Sequence, residues 1–312
     1  MAFFNLMDEI YRNHKRFQTE REVENMFVKE GYTYIEPNCF EDYDFVDFLN
    51  QRIKKESMVK VLNGNGDVLI VRPDVTTSLM KKFIPCLKEN GNIKVFYNTT
   101  VFKSDEKREI QNFYQMGVEY IGKDSSEGDG DMITLVLQIL KKYSEDFIVE
   151  INNSKYIDGL LREEKLKEHK EKIKDLLYRK SRFALIDYIN KLSLNSELVD
   201  CLKNILDFQG DFYEVLKKVN MYYMNDYMKE ALIELKNIYE CIDEEDHKYI
   251  HFDLSMTTEM DYYDGVVFKG YCNGSIHEII SGGRYDSFTQ EFGRKVPAIG
   301  FCVYIDALMK LL

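Results

Sequence analysis

The sequence contains no tryptophan, so aromatic packing and any aromatic-lined pocket must be built from its 22 tyrosines and 20 phenylalanines. Its 312 residues are 45% hydrophobic, which is enough for one large domain with an insertion or for two domains of ordinary size. Either arrangement predicts a folded protein with a substantial buried core.

Glycine-rich phosphate loops are also missing. Neither Gly-x-x-x-x-Gly-Lys-[Ser/Thr] nor Gly-x-Gly-x-x-Gly occurs, which argues against ordinary P-loop and Rossmann enzymes. The six cysteines include no Cys-x-x-Cys pair, and the five histidines form no His-Glu-x-x-His pair or other metal spacing. We therefore expect free thiols, no metal site and no cofactor.

No apolar run is long enough to cross a bilayer, which takes about 20 residues. The longest run, Met132–Leu140, is interrupted by Thr134 and Gln138. The N-terminal stretch has an acid by position 8 and does not resemble a signal peptide. The sequence therefore predicts a cytoplasmic protein without membrane contact.

Positive charge is scarce in this chain. Its 42 lysines and arginines face 54 aspartates and glutamates, which gives a formal net charge of -12. The most basic stretch, Lys165–Lys180, has acids spaced among its lysines, as on a solvated helix face. Extensive contact with nucleic-acid phosphates is therefore disfavoured.

Hydrophobic periodicity divides the chain into a strand-rich part and a helical part. Helix patterns cover Phe17–Lys29, Ser78–Leu87, Asp131–Lys142 and the end of the chain from about Val303. Strand patterns cover Tyr32–Glu36, Val68–Arg72, Lys94–Phe102, Tyr114–Ile121, Tyr249–Leu254, Val266–Tyr271 and Glu278–Ile280. Strand signals nearly vanish between residues 155 and 246. This predicts a core domain of residues 1–154 and 247–312 with a helical insertion at 155–246.

Four segments in sequence order resemble class II aminoacyl-tRNA synthetases, and specifically the histidyl enzyme. They are Val71-Arg-Pro-Asp-Val-Thr-Thr77, Phe113-Tyr-Gln-Met-Gly-Val-Glu119, Met260-Asp-Tyr-Tyr-Asp-Gly265 and Ser281-Gly-Gly-Arg-Tyr-Asp286. A fifth, Pro297-Ala-Ile-Gly-Phe301, resembles the start of the motif 3 helix. The resemblance covers residues 1–312 and implies an α+β fold: a mainly antiparallel six-stranded sheet flanked by helices, with an all-helical insertion.

The resemblance also implies a histidine pocket. By it, Asp74, Thr76 and Gln115 would hold the α-ammonium group, while Glu119 and Tyr263 would contact the imidazole. The chemistry agrees, because an ammonium needs a carboxylate and neutral acceptors, whereas an imidazole is read by a carboxylate and a hydroxyl. The even spacing of Gln115 and Glu119 on one strand places both on the same face.

The remaining pocket residues implied by the resemblance are two tyrosines and two glycines. Tyr262 and Tyr285 would close the pocket over a floor formed by Gly282 and Gly283. Glycines suit a floor because they let a small ligand approach the backbone closely.

Arginines that clamp ATP in the synthetases are replaced at three positions. The motif 2 arginine position holds Lys103, which keeps a charge but loses the bidentate fork. The histidyl-specific Arg-Gly pair becomes Thr258 and Glu259, and the motif 3 arginine falls on Ala307. Little amino-acid activation is therefore expected.

Two further features near these positions also predict little amino-acid activation. The loop at Glu106–Gln111 is shorter than in the synthetases, and Arg108 within it is the one candidate to compensate for Lys103. The chain also ends soon after the fifth segment, so we expect no C-terminal anticodon-binding domain.

A histidine pocket without ATP chemistry resembles the regulatory-subunit branch of the family, which serves ATP phosphoribosyltransferase in histidine biosynthesis. That resemblance implies a non-catalytic homodimer within a hetero-oligomer with the short-form catalytic subunit, which it activates, and L-histidine as the ligand of feedback inhibition. Two alternatives stay open: a truncated but active histidyl-tRNA synthetase, and a histidine-binding paralogue with another role.

Overall fold

The computed structural model describes residues 6–44, 55–89, 91–122, 126–258 and 262–312. Glu259, predicted to replace a family glycine, lies outside the described residues, as do Met260 and Asp261 of the third motif. Within the described ranges, no helix combines the length and the apolar character that a membrane span requires.

The strands are numbered in chain order. They are β1 (Thr33–Tyr34), β2 (Phe40–Asp42), β3 (Lys60–Leu62), β4 (Val68–Val71), β5 (Ile93–Ser104), β6 (Ile110–Ile121), β7 (Phe147–Asn153), β8 (Gln209–Gly210), β9 (Ile250–Asp253), β10 (Val266–Cys272), β11 (Ile280–Arg284) and β12 (Ala298–Tyr304).

The α-helices follow the same order. They are α1 (Leu6–Lys29), α2 (Thr76–Phe83), α3 (Ser126–Tyr143), α4 (Ser154–Leu161), α5 (Lys170–Tyr178), α6 (Arg182–Ile189), α7 (Ser196–Asn204), α8 (Phe212–Val219), α9 (Asp226–Cys241), α10 (Asp286–Thr289) and α11 (Ile305–Leu308). Short 3-10 turns lie at Lys55–Ser57, Ile84–Cys86, Lys167–His169, Ile205–Asp207, Glu244–Tyr249 and Gln290–Phe292.

One large sheet organises the described part of the chain, in the order β1-β5-β6-β12-β11-β10-β7-β9-β8. Its six central strands, β5 to β7 in that order, are all antiparallel to their neighbours, which confirms the predicted α+β class. The predicted six strands are nevertheless three too few, because β1 and β9 add parallel edges and β8 pairs with β9. The strand patterns at Tyr32–Glu36 and Tyr249–Leu254 predict β1 and β9, whereas the two residues of β8 are too few to show an alternating pattern.

The two faces of the sheet carry different hydrophobic clusters. Phe96, Met116 and Val118 face a cluster that includes residues of α1 and α3. Val95 and Tyr97, which point the opposite way, belong to a second cluster with residues of α2. The period of two along β5 and β6 therefore places every second residue on the α2 face, where the predicted pocket lies.

Helices fill most of the predicted insertion. Four of them begin after an Asn or Asp whose side chain accepts a hydrogen bond from a backbone N–H in the first turn, namely Asn153, Asn195, Asp211 and Asn225. The region is not wholly helical, because Gln209–Gly210 pairs with β9. Its buried residues belong to the same cluster as those beneath the sheet, so insertion and sheet share a core.

Lys180 ties the insertion to the sheet. It follows α5 in the left-handed conformation, with φ at 50°, which is strained for a residue with a side chain. Its ammonium group forms an ion pair with the buried Asp253 at the end of β9 and donates to the Ser255 hydroxyl at 2.7 Å. These contacts hold Tyr178 near the sheet.

The C-terminal motifs adopt structures that differ from the prediction. Residues 297–301 do not begin a helix, since Ala298–Tyr304 forms strand β12 between β6 and β11, and helix follows only at Ile305. Gly282 and Gly283 lie within β11 rather than after it. An apolar run of this length does not distinguish a buried strand from a helix, and the central position in the sheet decides it.

A buried ion pair positions the end of β11. The Arg284 guanidinium donates from Nε and Nη2 to Asp129 Oδ1 of α3 at 2.9 and 2.6 Å, and from Nη1 to Asp286 Oδ1 at 3.1 Å. Asp286 Oδ1 also accepts from the Ala298 backbone N–H at 2.8 Å. Burial raises the pKa of Asp129 to about 6, although Arg284 pulls it down. The network joins α3, β11 and β12 around Tyr285.

Breaking this pair should destabilise the fold. We expect Arg284→Met to lower the free energy of unfolding by about 3 to 5 kcal/mol, because Asp129 would remain as an uncompensated buried charge. Urea titration at neutral pH measures the loss. Arg182→Met is the matched control, since its pair with Asp207 is exposed and should cost no more than about 1 kcal/mol. Similar losses in both variants would contradict the assigned role.

Candidate functional site

A cavity of about 580 Å³ opens on the α2 face of the sheet. This volume lies within the range of sites for small molecules, which is roughly 300 to 1,000 Å³. Seven of the nine predicted pocket residues line it: Asp74, Thr76, Gln115, Glu119, Tyr262, Tyr263 and Tyr285. Residues scattered over more than 200 positions of the sequence are thus brought to one place.

Glu119 is the most buried acid of this cavity, with 2% of its surface exposed. Thr76 donates from its hydroxyl to Glu119 Oε1 at 2.6 Å, and the Tyr285 hydroxyl donates to Oε2. Burial raises the pKa of the Glu119 carboxyl to about 8, and the two hydrogen bonds only partly oppose this rise. Burial therefore favours the protonated form of this carboxyl group up to a higher pH than in an exposed glutamate.

Gln115 lies on the same face of β6 as Glu119, as their spacing predicts, and Gly117 lies between them. A Cβ atom at Gly117 would come within 2.4 Å of the Tyr97 hydroxyl oxygen, so glycine leaves the space that Tyr97 occupies. Tyr97 lines the cavity but was not predicted, because it belongs to the neighbouring strand and to none of the motifs.

Asp74 reaches the cavity from the loop that leads into α2, and Thr76 reaches it from the first position of that helix. Asp74 Oδ2 accepts a hydrogen bond from the Thr77 backbone N–H at 2.7 Å, so the carboxylate also stabilises the start of the helix. Arg72 fixes this loop against β5 by donating to the carbonyl oxygens of Pro37, Asn38 and Thr100. Arg72 is buried and has a structural role that the motif alone did not indicate.

The tyrosines form one wall of packed rings. Tyr262 stacks on Phe288 with a centroid distance of 5.1 Å, and Tyr263 lies 4.7 Å from Tyr262. Tyr285 meets Tyr262 edge to face at 5.7 Å. Burial raises the pKa of the Tyr262 and Tyr285 phenols well above the usual range, so both hydroxyls stay protonated as donors at neutral pH.

The floor glycine differs from the prediction. Neither Gly282 nor Gly283 lines the cavity: Gly283 lies beneath the ring of Tyr263, and Gly282 faces Phe268 on the other side of the sheet. Gly300 of β12 lines the cavity instead, and a Cβ atom there would lie 2.1 Å from Glu119 Oε2. Strand register determines which glycine lies beside Glu119. Gly300 pairs directly with Glu119, whereas Gly283 pairs with Gly300 and is therefore one strand further away.

The three positions where the resemblance places arginines all line the same cavity. Thr258 and Ala307 present neutral side chains there, and Lys103 presents an amine. Arg108 does not line it, since this residue lies at the exposed turn between β5 and β6 with φ at 62°. Arg108 is therefore not placed to replace the fork that Lys103 lacks.

Two cavity residues that the sequence did not point to come from distant elements. Tyr178 extends from the end of α5 in the insertion, and Lys269 extends from β10. Lys269 Nζ lies 6.0 Å from the centroid of the Tyr178 ring. Neither belongs to a motif that carries the resemblance, so no local signal could have identified them.

Comparison with known proteins identifies the family of this chain. A model of the family described as histidyl-tRNA synthetase matches residues 11–308. An ATP phosphoribosyltransferase regulatory subunit from Clostridium novyi is 30% identical over 308 residues, covering 96% of this chain and 72% of that protein.

Solved structures show the same architecture. A Bacillus halodurans protein described as an ATP phosphoribosyltransferase regulatory subunit/histidyl-tRNA synthetase has a TM-score of 0.83 and 28% identity, covering 95% of this chain and 79% of that one. The ATP phosphoribosyl transferase (HisG:HisZ) complex from Thermotoga maritima contains a chain with a TM-score of 0.71 and 16% identity, covering 93% and 97%, which supports the fold. The chain belongs to the ATP phosphoribosyltransferase regulatory subunit family, which is histidyl-tRNA synthetase-like and has the class II synthetase fold.

Proposed function

We propose that this chain is a non-catalytic regulatory subunit of ATP phosphoribosyltransferase that binds L-histidine in the cavity around Glu119. In this role it activates the short-form catalytic subunit and mediates feedback inhibition by histidine, the end product of the pathway. The observation that carries the proposal is a buried carboxyl group, flanked by Thr76 and Tyr285, in a cavity whose predicted ATP-clamping positions hold Thr258 and Ala307.

The cavity offers suitable partners for the α-ammonium group and for the imidazole of histidine. Glu119 can accept a hydrogen bond from an imidazole nitrogen, and the Tyr263 hydroxyl faces the same space. Asp74, Thr76 and Gln115 supply the carboxylate and neutral acceptors that an α-ammonium group needs. Charge-assisted hydrogen bonds of this kind are about twice as strong as neutral ones, so they favour histidine over apolar amino acids.

We expect no adenylation of histidine, because the cavity offers few positively charged side chains to the phosphates of ATP. Activation of an amino acid by ATP develops charge on the phosphates, and each lost contact to that charge costs about 2.7 to 4 kcal/mol of transition-state stabilisation. Threonine and alanine bring no positive charge to the phosphates, and lysine brings one without the bidentate geometry of arginine. Binding of the amino acid without its activation is the chemistry that remains.

The partner follows from the names of the relatives and from the complex. The Clostridium novyi relative is named a regulatory subunit, and the Thermotoga maritima structure is of a HisG:HisZ complex. We therefore propose a homodimer of this chain within a hetero-oligomer with the catalytic subunit. The formal net charge of -12 argues against nucleic acid as a partner.

Removing the charge of Glu119 should separate activation from feedback. We expect Glu119→Gln to weaken histidine binding by about 1.5 to 3 kcal/mol, the usual contribution of a hydrogen bond to a charged group, while activation of the partner survives. Calorimetry gives the affinity, and phosphoribosyltransferase activity of the reconstituted complex over a histidine titration gives the inhibition midpoint. Glu240→Gln on the exposed face of α9 is the control.

Three outcomes decide between the alternatives. No heat of binding at millimolar histidine with folded protein removes the proposed ligand. An unchanged inhibition midpoint in Glu119→Gln places the feedback site elsewhere, such as on the catalytic subunit. Histidine binding without any effect on a phosphoribosyltransferase supports a paralogue with another role.

Histidine-dependent exchange of pyrophosphate into ATP should be absent. The neutral side chains of Thr258 and Ala307 leave the developing phosphate charge without its usual partners, so we expect no rate near the roughly 1 per second of ordinary enzymes. The assay uses the intact chain, with a histidyl-tRNA synthetase as the positive control. Exchange at an enzymatic rate would identify a truncated active synthetase instead.

Histidine affinity should depend on pH in a bell-shaped manner. The Glu119 pKa is raised to about 8 by burial, and a free imidazole titrates near about 6.5. Between these two pKa values the free Glu119 carboxyl is protonated and the free imidazole is neutral. Together they already hold the one proton that the two groups share in the complex. Below this window a proton must be released, and above it a proton must be taken up, so affinity falls on both sides.

Calorimetry at about pH 5.5, 7.2 and 8.5 in buffers of different ionisation enthalpy tests this dependence. We expect the strongest binding and the least proton exchange near pH 7.2. Glu119→Gln should lose the decline on the alkaline side, because the amide does not titrate. A wild-type affinity that rises steadily to pH 8.5 would contradict the shared proton.

A further inference from the structure

Three lysines line the cavity in addition to its acids: Lys103, Lys269 and Lys310. None of them forms an ion pair with a residue in the described parts of the chain. Glu278 and Asp306 also line the cavity, and neither pairs with these lysines; Asp306 accepts from the Tyr114 backbone N–H at 3.1 Å. Amines without an ion-pair partner in a cavity of an acidic protein point to an anionic group on the ligand.

Lys269 has the most defined position of the three. It lies in the middle of β10, a central strand, and pairs with Ser281 of β11 on one side and Glu150 of β7 on the other. Lys103 lies near the end of β5, and Lys310 follows α11. A side chain that starts from a central strand is held more precisely than one that starts near the end of an element.

Small residues lie on the sheet between Lys269 and Glu119; Gly300, Cys302 and Ser281 line the cavity there, whereas Tyr263 covers Gly283 and Tyr97 fills the space at Gly117. One row across the strands consists of Glu119, Gly300 and Gly283, and the next row consists of Gly117, Cys302, Ser281 and Lys269. Three strand spacings and one two-residue step separate the two Cα atoms by about 16 Å. Both side chains line the cavity, and the lining residues between them, Gly300, Cys302 and Ser281, are small, which leaves room for a short zwitterion.

The surroundings of Lys269 satisfy its charge only in part. Its side chain is half-buried, and its ammonium group lies 6.0 Å from the centroid of the Tyr178 ring, at the outer limit of a cation–π contact. Lys269 is near enough to Glu150 to oppose the rise that burial causes in the pKa of that carboxyl, but the two groups form no ion pair. A partly desolvated ammonium without a direct carboxylate contact is unfavourable, and a carboxylate on a ligand would relieve that cost.

We infer that Lys269 is the residue that recognises the α-carboxylate of the bound amino acid and so selects the acid over analogues that lack this group. This inference rests on the proposed function, in which the ammonium and imidazole groups already have Asp74 and Glu119 as partners. The carboxylate is the one charged group left, and Thr258 offers it a neutral hydroxyl. Lys269 is a specificity-determining residue in this arrangement.

The test compares three ligands by calorimetry on the full chain. L-Histidine carries the carboxylate, L-histidinol replaces it with a primary alcohol, and histamine lacks it. We expect the wild-type chain to prefer histidine over histidinol by about 10- to 100-fold, as one charge-assisted hydrogen bond predicts. Lys269→Met should reduce histidine affinity by about that factor and leave histidinol affinity within about threefold, so the preference disappears.

Three further variants keep the inference falsifiable. Lys269→Arg should retain most of the preference, since it keeps the charge; it also serves if Lys269→Met does not fold. Lys236→Met, on the exposed face of α9, is the control and should change neither affinity. The inference is overturned if Lys269→Met keeps the wild-type preference for histidine, if Lys269→Arg folds but loses it, or if Lys103→Met alone abolishes it.

The same experiment separates this inference from the proposed function. Wild-type chain that binds histidine but does not distinguish it from histidinol refutes the role of Lys269 and leaves the histidine pocket intact. Wild-type chain that binds none of the three ligands refutes the pocket itself.

Discussion

A carboxyl group held out of water is the constraint on which this cavity depends. Glu119 is almost fully buried, and its oxygens are satisfied by the hydroxyls of Thr76 and Tyr285. Gly300 is required opposite it, because any side chain there would collide with Oε2. Burial of an ionisable group without a counter-ion opposes folding, and the raised pKa expresses that cost. Such a group is readily understood as a binding residue that gains its partner from a ligand.

The rest of the structure keeps this carboxyl group in place. Tyr285 follows Arg284, whose buried pair with Asp129 fixes the end of β11 against α3. Arg72 holds the loop before α2 in place in the same way, and Thr76 is the first residue of α2. Thr76 and Tyr285 are thus each supported by an arginine that holds the neighbouring backbone in place. These two arginines of the motifs are therefore structural, whereas the cavity-lining positions Lys103, Thr258 and Ala307 hold lysine, threonine and alanine.

The sequence was most informative where a local period or a motif set the outcome. Gln115 and Glu119 lie on one face of a strand because side chains alternate along it, and the structure follows that rule. The helix at residues 131–142 and the largely helical character of the insertion were also predictable from periodicity. The motif 3 segment was misassigned as helix, since a short apolar run is compatible with both structures. Two-residue strands such as Gln209–Gly210 are too short for any pattern.

What the sequence by itself determined is the set of chemical groups that line the cavity: carboxylates, an amide and tyrosines, with lysine, threonine and alanine at the three positions where the resemblance implies arginines. The tertiary structure alone decided which groups meet. Strand register selected Gly300 rather than Gly282 or Gly283 beside Glu119, and strand order brought Tyr97 and Lys269 to the same cavity. The physical reason is that pairing between distant strands depends on the packing of the whole sheet, so it leaves no trace in the local sequence around any one residue.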